Sequence, residues 1–481
     1  MAAKLDRTAP GEHGIAPLLA GEVAAASGGL LLAGDPELRF AGVSIDTRTL
    51  EPGFLFFAIR GPHHDAHHFL ADALEGGAVG LVVEDEAALQ SDGPPGIAVI
   101  RVEDTTRALG AVAAAHRGGF GGPLIAITGS SGKTTTKEMC AAILSRSGPC
   151  LATRGNLNNE YGVPLTLLRR RTAHRVAVVE LGMNHRGEIA ALAAIARPDC
   201  GVVTNVGTAH IEHLGSREEI AREKDDLLAA IPPEGTALLH GDDPLLRAEA
   251  SRVRARRVTF GLEPACDVRA DKIERPAPGR FAFDLVAPDG RQRVEVAGLH
   301  AGTVPNALAA AGAARAAGAS LEDVAAGLDT YRPAAGRMTL VVLACDAWLI
   351  YDSYNANPQP MAVALQGLAD LAGPGRAFAV LGDMGELGAT ADEAHREAGR
   401  LAARLGLAGL AVLGAHGGRI LEGARQAGLA TDRLFEARDH EELVEHVATR
   451  LRAGDRILVK GSRAMRMERV VEGLVERKGA A

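Results

Sequence analysis

Short apolar runs alternate with longer Ala- and Leu-rich stretches along most of the chain. The short runs have the length of buried β-strands, and the longer stretches have the apolar spacing of helices. This alternation predicts an α/β fold in which parallel strands are joined by crossover helices. The runs are GLVV (80–83), LIAIT (124–128), VAVVE (176–180), GVVTN (201–205), TALLH (236–240), FAVLG (378–382), LAVLG (410–414) and RILVK (456–460).

Two interruptions of this pattern divide the chain. They are HRGGFGGP at 116–123 and YRPAAGRM at 331–338. Domains usually contain about 100–200 residues, so a chain of 481 residues is expected to contain several. Residues 262–300 differ from their surroundings, with Pro-rich turns and short alternating strands, and predict a β-insertion at the end of the second domain. The predicted domains are residues 1–119, 120–330 and 331–481.

Composition narrows the class of protein. The chain is 47% hydrophobic and 23% charged, as is usual for globular proteins, and its formal net charge is -8. Nucleic-acid binding without sequence preference needs a basic surface, so this charge argues against it. No apolar stretch approaches the roughly 18 residues of a membrane span, and the N-terminal segment lacks the apolar region of a signal peptide.

The five cysteines are scattered and never form a CxxC pair. This arrangement is typical neither of a disulfide framework nor of a zinc site, and it favours a reducing compartment. We therefore expect a cytoplasmic protein with no membrane insertion.

The segment TGSSGKTTTKE (128–138) follows an apolar run and opens a predicted helix. A Gly-rich turn at a helix N-terminus binds phosphate through free N–H groups, although the spacing here is shorter than the general GxxxxGK[ST] pattern. We expect Lys133 to reach the β- and γ-phosphates and Thr134 to bind Mg²⁺. An ordinary Gly-rich turn with an incidental lysine is the alternative. The predicted ATP-binding residues of this loop are Gly129, Ser130, Ser131, Gly132, Lys133, Thr134 and Thr135.

Three further side chains follow predicted strands or lie on a polar helical stretch. Glu180 ends VAVVE, His210 follows the next apolar run, and Lys224 lies in EEIAREKDDLL. Because parallel strands present their carboxyl ends at one edge of the sheet, these residues and Thr134 predict a metal site there. The chain contains only seven lysines, so a retained lysine indicates chemistry that a guanidinium group cannot perform. Each residue taken alone is a common surface or core feature.

Further motifs are spread over almost the whole length of the chain. With the phosphate loop, they are VSIDTRTLEPGFLFFAIRG (43–61), TGSSGKTTTKEM (128–139), NLNNEYGVPLTLL (156–168), ELGMNHRGEI (180–189), TNVGTAHIEHLGS (204–216), DSYNANP (352–358), LGDMGELG (381–388) and VKGSRAMRME (459–468). In these segments the chain resembles the Mur ligase family. NLNNEYGVPLTLL, DSYNANP and VKGSRAMRME are the most typical of the family members that add D-alanyl-D-alanine.

The resemblance implies three domains of Mur ligase architecture: an N-terminal UDP-sugar-binding domain, a central phosphate-loop ATPase domain with a parallel sheet, and a Rossmann-like C-terminal domain. It implies an ATP- and Mg²⁺-dependent ligase of peptidoglycan synthesis. The implied reaction joins D-alanyl-D-alanine to the tripeptide carboxylate of UDP-N-acetylmuramoyl-tripeptide through an acyl phosphate. We expect a monomer. A family member that adds a different amino acid and a non-catalytic ATP-binding relative are the alternatives.

The resemblance also implies roles for individual residues. Lys224 is expected to be carbamylated and so to become carboxylate-like beside Mg²⁺. The implied catalytic residues are Lys133, Glu180, His210 and Lys224. The implied metal-site residues are Thr134, Glu180, His210 and carbamylated Lys224. The implied ATP contacts from the third domain are Arg337, Asp352, Asn355 and Asn357. The implied substrate-binding residues are Asp46, Thr47, Arg48, Asn158, Asn159, Lys460, Ser462 and Arg463.

The chain departs from the family pattern at three places. His240 stands where the family usually has an asparagine. His300 and Asn306 are two residues farther apart than in the usual turn, and Asp225-Asp226 replaces the usual Gly-Glu. The adenine contacts are therefore left open.

One other cluster invites a metal interpretation. HHDAHH at 63–68 contains four histidines, and we interpret it as a substrate-side loop rather than a metal site. A phosphate-loop GTPase would carry an NKxD motif, and the chain has none.

Overall fold

The computed structural model describes residues 14–61, 64–85, 96–207 and 211–480 and contains three mostly parallel sheets with helices packed against them. The predicted α/β fold is confirmed. Each sheet lies within one of the three predicted domains, while the boundaries at residues 119 and 330 stay a prediction.

The first sheet has the strand order β1-β5-β4-β3-β2, and only its edge strand β1 is antiparallel to its neighbour. Its strand β4 is buried at all four positions, as expected of a parallel strand covered on both faces. The elements are α1 (Ala20–Ser27), β1 (Leu30–Ala33), β2 (Gly42–Ser44), β3 (Phe54–Phe57), α2 (Leu70–Glu75), β4 (Gly80–Val83), β5 (Ala98–Arg101) and α3 (Thr105–Gly118).

The second sheet has nine strands in the order β14-β13-β12-β11-β10-β9-β6-β8-β7. Strands β7 to β11 pair in parallel with β6 and with one another. The elements are β6 (Leu124–Thr128), α4 (Lys133–Leu144), β7 (Cys150–Ala152), α5 (Gly162–Leu168), β8 (Val176–Glu180), α6 (Glu188–Ala196), β9 (Cys200–Val203), α7 (Ile211–Leu214), α8 (Arg217–Ala229), β10 (Thr236–His240), α9 (Pro244–Glu249), β11 (Arg256–Gly261), β12 (Val268–Glu274), β13 (Arg280–Ala287), β14 (Gly290–Ala297), α10 (Thr303–Ala316) and α11 (Leu321–Thr330).

Residues 262–300 form strands, as their alternating pattern predicts. Strands β12, β13 and β14 pair antiparallel in sequence, and β12 pairs in parallel with β11. The segment therefore extends the second sheet instead of forming a separate one. Its buried side chains, among them Phe283 and Val296, join the same core as those of α10.

The third sheet has the order β15-β16-β20-β17-β18-β19, with an antiparallel edge strand β15. This doubly wound parallel arrangement is the one expected of a Rossmann-like domain. The elements are β15 (Thr339–Val342), β16 (Trp348–Asp352), α12 (Pro358–Ala372), β17 (Ala377–Gly382), α13 (Ala391–Arg404), β18 (Gly409–Leu413), α14 (Gly417–Gln426), β19 (Leu434–Glu436), α15 (His440–Arg450), β20 (Arg456–Lys460) and α16 (Glu468–Lys478).

Two negative findings apply to the described ranges. None of the helices there has both the length and the apolar character that a membrane crossing requires. The five cysteines, all within those ranges, are unpaired, as expected from their scattered positions.

Candidate active site

A cleft of about 870 Å³ opens between the carboxyl edge of the second sheet and the third sheet. Open α/β sheets bind ligands at this edge, because the loops that follow the strands diverge there. The predicted site residues that line the cleft are Ser130, Ser131, Gly132, Lys133, Thr134, Thr135, Asn158, Asn159, Glu180, Arg337, Asp352, Asn355, Asn357, Lys460 and Arg463.

The phosphate loop joins β6 to α4. Gly132 is the residue before the helix, and its φ of 77° is a conformation that glycine adopts without steric cost. The Lys133 ammonium donates a hydrogen bond of 2.7 Å to the Gly129 carbonyl oxygen. Burial lowers the pKa of Lys133, the Glu180 carboxylate opposes this shift, and Arg337 adds to it. The start of α4 therefore offers free N–H groups and a cation at one point of the cleft.

Three buried side-chain atoms of cleft residues have no hydrogen-bond partner among the described residues. They are the Ser130 hydroxyl oxygen, the His240 Nε2 atom and the His300 Nδ1 atom. Buried polar groups are nearly always hydrogen-bonded in folded proteins. Unpartnered atoms next to a helix N-terminus fit a site that is completed by a polar, anionic ligand such as a nucleotide.

Glu180 is the centre of a buried polar cluster at the end of β8. Its side chain accepts a 2.8 Å hydrogen bond from the Thr134 hydroxyl and another of 2.8 Å from the Asn158 amide. Its backbone N–H donates to the Thr153 hydroxyl at 2.9 Å. Glu180 is 2% exposed. The cluster places a carboxylate and a hydroxyl together, and hard divalent cations such as Mg²⁺ prefer such oxygen ligands.

Lys224 lies on α8 and is 1% exposed. Its Nζ atom is 3.6 Å from the Met183 sulfur, and Met183 lines the cleft. Burial lowers the pKa of Lys224 well below its usual value, and the charge of Lys133 lowers it further, while Glu223 opposes the shift. Burial therefore shifts the protonation equilibrium of Lys224 toward the neutral amine.

Glu223, next to Lys224, ties α8 to the start of α6. Its carboxylate accepts hydrogen bonds from the backbone N–H groups of Gly187 at 2.8 Å and Ile189 at 3.0 Å. Anions stabilise a helix N-terminus in this position. The contact holds the helix that carries Lys224 against the 184–188 loop.

One predicted metal ligand cannot be placed. His210 lies outside the described residues. Within those ranges no three His, Cys, Asp or Glu side chains come together as a possible metal site. The predicted metal ligands are instead one carboxylate (Glu180), one hydroxyl (Thr134), a carbamylated lysine (Lys224) and His210.

The third sheet contributes a second group of side chains to the cleft. The Arg337 guanidinium lies 3.7 Å from the centre of the Tyr354 ring, a stacked cation–π geometry. The Lys460 ammonium donates 2.7 Å hydrogen bonds to the Asp352 carboxylate and to the Asn355 carbonyl. Lys460 is 2% exposed, so its charge is neutralised within the protein.

The other predicted residues of the third domain occupy different positions. Arg463 lines the cleft and forms a 3.2 Å ion pair with Glu468. Ser462 does not line the cleft. It is 8% exposed, and its backbone N–H donates to the Asp383 carbonyl at 2.8 Å.

The predicted UDP-sugar residues lie on the first sheet, away from this cleft. Thr47 begins a short 3₁₀ turn that Asp46 caps by accepting from the Arg48 N–H at 3.0 Å. The Arg48 guanidinium also pairs with Asp46 at 2.7 Å, and this hydrogen bond lowers the pKa of Asp46. The Arg48 side chain is 86% exposed, so this ion pair lies at the protein surface.

In the His-rich loop, the His67 side chain forms two hydrogen bonds within the protein. The His67 ring contacts the Asp65 carboxylate at 2.6 Å through Nδ1 and accepts from the Glu84 N–H at 2.9 Å through Nε2. Both ring nitrogens are therefore used within the protein. His63 lies outside the described residues.

The residues at two of the three departures from the family pattern line the cleft, whereas Asp225 and Asp226 are not among its lining residues. His240, His300 and Asn306 all face it. Asn306 lies in the first turns of α10, and a Cβ added at Gly132 would overlap its side-chain oxygen. The longer spacing therefore still brings Asn306 against the phosphate loop.

Several residues of the site have no role in the sequence prediction, among them Tyr354, Glu386, Thr204 and Asn205. Tyr354 stacks on Arg337, and Glu386 lines the cleft in a left-handed conformation, with φ of 58°. Thr204 and Asn205 contact the phosphate loop directly. All four lie in motifs that carry the resemblance, but the motif letters alone do not indicate which neighbour each side chain touches.

Comparison with known proteins defines the family. Three family models match successive parts of the chain: "Mur ligase family, catalytic domain" at residues 39–117, "Mur ligase middle domain" at 127–314 and "Mur ligase, glutamate ligase domain" at 336–463. A curated relative, the UDP-N-acetylmuramoyl-tripeptide–D-alanyl-D-alanine ligase of Escherichia coli (strain K12), is 37% identical over 446 residues. That alignment covers 92% of this chain and 95% of the relative. The chain belongs to the Mur ligase family.

Solved structures extend the similarity of this Mur ligase to its whole architecture. A crystal structure of MurF from Acinetobacter baumannii superposes with a TM-score of 0.86 at 34% identity, and the match covers 96% of this chain and 99% of that one. The MurF ligase from Thermotoga maritima in complex with ADP has a TM-score of 0.77 at 30% identity, covering 91% and 97%.

Proposed function

We propose that this Mur ligase joins D-alanyl-D-alanine to the tripeptide carboxylate of UDP-N-acetylmuramoyl-tripeptide. The products are UDP-N-acetylmuramoyl-pentapeptide, ADP and phosphate, in the synthesis of peptidoglycan precursors. The observation that carries the proposal is the match to curated relatives of that name at 33–38% identity over about nine-tenths of both chains. The ADP in the Thermotoga maritima relative supports ATP as the nucleotide.

The reaction needs ATP because a carboxylate has no good leaving group for attack by an amine. The terminal carboxylate oxygen of the tripeptide attacks the γ-phosphorus, the bond to the β-phosphate oxygen breaks, and ADP departs. The amine of D-alanyl-D-alanine then attacks the acyl carbon of the acyl phosphate. Inorganic phosphate leaves, and the amine loses a proton.

The first step brings two anions together, and the cleft offsets their repulsion. The N-terminus of α4 supplies N–H groups, and Lys133 supplies a cation beside them. Arg337 approaches from the third domain, close enough to lower the pKa of Lys133. Charge stabilisation of this kind is the main contribution of proteins to phosphoryl transfer.

Mg²⁺ would be held by Thr134, Glu180, His210 and Lys224, of which Glu180 and Thr134 are already in contact. When bound, it would neutralise charge on the phosphate oxygens. Lys224 fits the role only after carbamylation. Its neutral amine attacks the carbon of CO₂ and loses a proton, which leaves a carbamate with two oxygens. Burial favours the neutral amine that this reaction requires.

The remaining roles follow the same division of the chain. Residues 1–119 would hold the UDP-sugar through Asp46, Thr47 and Arg48, residues 120–330 would hold ATP, and residues 331–481 would complete the cleft. Asn158, Asn159 and Arg463 would lie beside the peptide substrates. We place the enzyme in the cytoplasm as a monomer.

A dipeptide-dependence assay tests the proposal. Purified protein is incubated with UDP-N-acetylmuramoyl-tripeptide, ATP and Mg²⁺, with and without D-alanyl-D-alanine, using lysine and diaminopimelate tripeptides in parallel. We expect phosphate release only with the dipeptide, and a product heavier by that dipeptide. Equal phosphate release without either substrate would refute the proposal. Release that requires a single amino acid instead would identify a different Mur ligase.

A further inference from the structure

We propose that Thr204 and Asn205 act as positioning residues that hold the phosphate loop in its nucleotide-binding shape. The proposal rests on the nucleotide site described above. The two residues directly follow β9, and the sequence pattern predicts them to be part of that strand. In the structure β9 ends at Val203, and the next two residues turn their hydrogen-bonding groups toward the loop. We call this pair the loop clamp.

Asn205 binds the loop backbone at two successive residues. Its backbone carbonyl accepts from the Ser130 N–H at 3.1 Å. Its side-chain oxygen accepts from the Ser131 N–H at 3.1 Å, and its side-chain N–H donates to the Ser131 carbonyl at 3.0 Å. The side-chain amide therefore pairs with one residue of the loop as a neighbouring strand would.

Thr204 supplies the second half of the clamp. Its hydroxyl donates to the Ser131 carbonyl at 2.6 Å, and its backbone N–H donates to the Thr128 carbonyl at 3.0 Å. Thr204 is 3% exposed, so the hydroxyl exchanges little with water. A Cβ added at Gly129 would overlap this hydroxyl, which shows how closely the loop lies on it.

The clamp decides which loop groups are left for a nucleotide. The Ser130 and Ser131 N–H groups are already satisfied by Asn205. The groups that remain are the N–H of Gly132 and the first N–H groups of α4, up to Thr136, whose N–H donates to the Gly132 carbonyl. Phosphates are therefore directed to the helix N-terminus, beside Lys133.

Direct ADP binding tests the clamp without relying on ligase activity. Thr204→Val keeps the branched shape but removes the donor to Ser131, whereas Thr204→Ser keeps the hydroxyl. We expect Thr204→Val to raise the Kd for ADP by about 10-fold, as misplaced binding groups do. We expect the Kd of Thr204→Ser for ADP to stay near that of the wild type. The Kd for UDP-N-acetylmuramoyl-tripeptide should be unchanged in both variants.

Thr166→Val is the matched control. Thr166 lies on α5 and is fully buried, and its hydroxyl has no hydrogen-bond partner among the described residues. The Thr166→Val variant should therefore bind ADP with the affinity of the wild type. Each variant is also checked for its thermal midpoint. Should Thr204→Val fail to fold, Asn205→Ala receives the same measurement and the same expectation.

Two outcomes would overturn the clamp. One is unchanged ADP affinity in folded Thr204→Val or Asn205→Ala protein. The other is an equal loss of affinity for ADP and for the UDP-linked substrate, which indicates general disorder. Wild-type protein that binds no ADP would overturn the nucleotide site itself and the clamp with it.

Discussion

At the scale of single residues, burial lowers the pKa of Lys224 more than any one neighbouring charge does. Its side chain, within α8, is buried, and its pKa falls because the charged form is desolvated. Arginine cannot respond in this way, since guanidinium stays protonated in proteins. A lysine at this position in an Arg-rich chain is therefore explained by the chemistry of a neutral amine.

Two variants of Lys224 test the carbamate role. Lys224→Arg should reduce kcat by about 100-fold or more, because guanidinium forms no carbamate and would place a cation at the proposed metal site. Lys224→Ala should be equally inactive but partly rescued by added short carboxylic acids, which can occupy the vacated space. Steady-state kinetics with and without acetate measures both effects.

Lys272→Arg serves as the control for the lysine-to-arginine change. Its side chain is 70% exposed and distant from the cleft, so activity should not change. Full activity of Lys224→Arg, or no rescue of folded Lys224→Ala, would contradict the carbamate role.

At the scale of elements, helices α13 and α14 pack with their backbones in close approach. A Cβ added at Gly399 of α13 would overlap the Ile420 carbonyl oxygen, and one added at Gly423 of α14 would overlap the Arg396 carbonyl oxygen. Each glycine thus faces the backbone of the other helix. The close approach lets the short helices bury Ala402 and Ala424 at their interface.

Gly399→Ala should destabilise the third domain by about 1–3 kcal/mol, since the added methyl group must push the helices apart. Gly418→Ala is the matched control in α14. A Cβ there would lie 3.7 Å from the Glu436 carboxylate, an ordinary contact, so stability should stay the same or rise by up to about 1 kcal/mol. Urea unfolding followed by circular dichroism measures both, and equal stability of the two variants would contradict the packing argument.

At the scale of the whole molecule, the first two sheets share one hydrophobic core. Val112 on α3 belongs to the same buried cluster as Val163 on α5 and Ile189 on α6. The third sheet has two hydrophobic clusters of its own. Among the described residues, Leu299 is the one member of these clusters that comes from the second domain, and it belongs to the first of the two. We therefore expect the three sheets to unfold as two cooperative units, because elements that share a core tend to unfold together.

We expect residues 331–481 to fold alone and residues 1–119 to remain unfolded without the second domain. Full-length protein should show two thermal transitions, and the fragment 331–481 should reproduce one of them. Differential scanning calorimetry of the three proteins checks this. A cooperative transition in the isolated 1–119 fragment would contradict the shared core.

Elements predicted from local pattern agree well with the structure. Strands β6, β8, β10 and β20 have the predicted bounds, since each is a continuous apolar run that ends at a polar residue. The prediction for β9 was wrong at its end. Thr204 has a high strand propensity and Asn205 a low one, but both side chains bind the phosphate loop. That loop follows β6, which lies beside β9 only in the folded sheet.

The sequence by itself determined the α/β class, the phosphate loop and the family, because strand hydrophobicity and motif spacing are local properties that the chain carries wherever it folds. Only the tertiary structure decided that Lys460 is neutralised by Asp352, that Arg337 lies close enough to Lys133 to lower its pKa, and that Asn205 occupies two N–H groups of the loop. These pairs are distant in sequence, and the strength of a charge or hydrogen bond depends on its partner and on exclusion of water. Neither the partner of each group nor the exclusion of water is set until the sheets and their loops have come together.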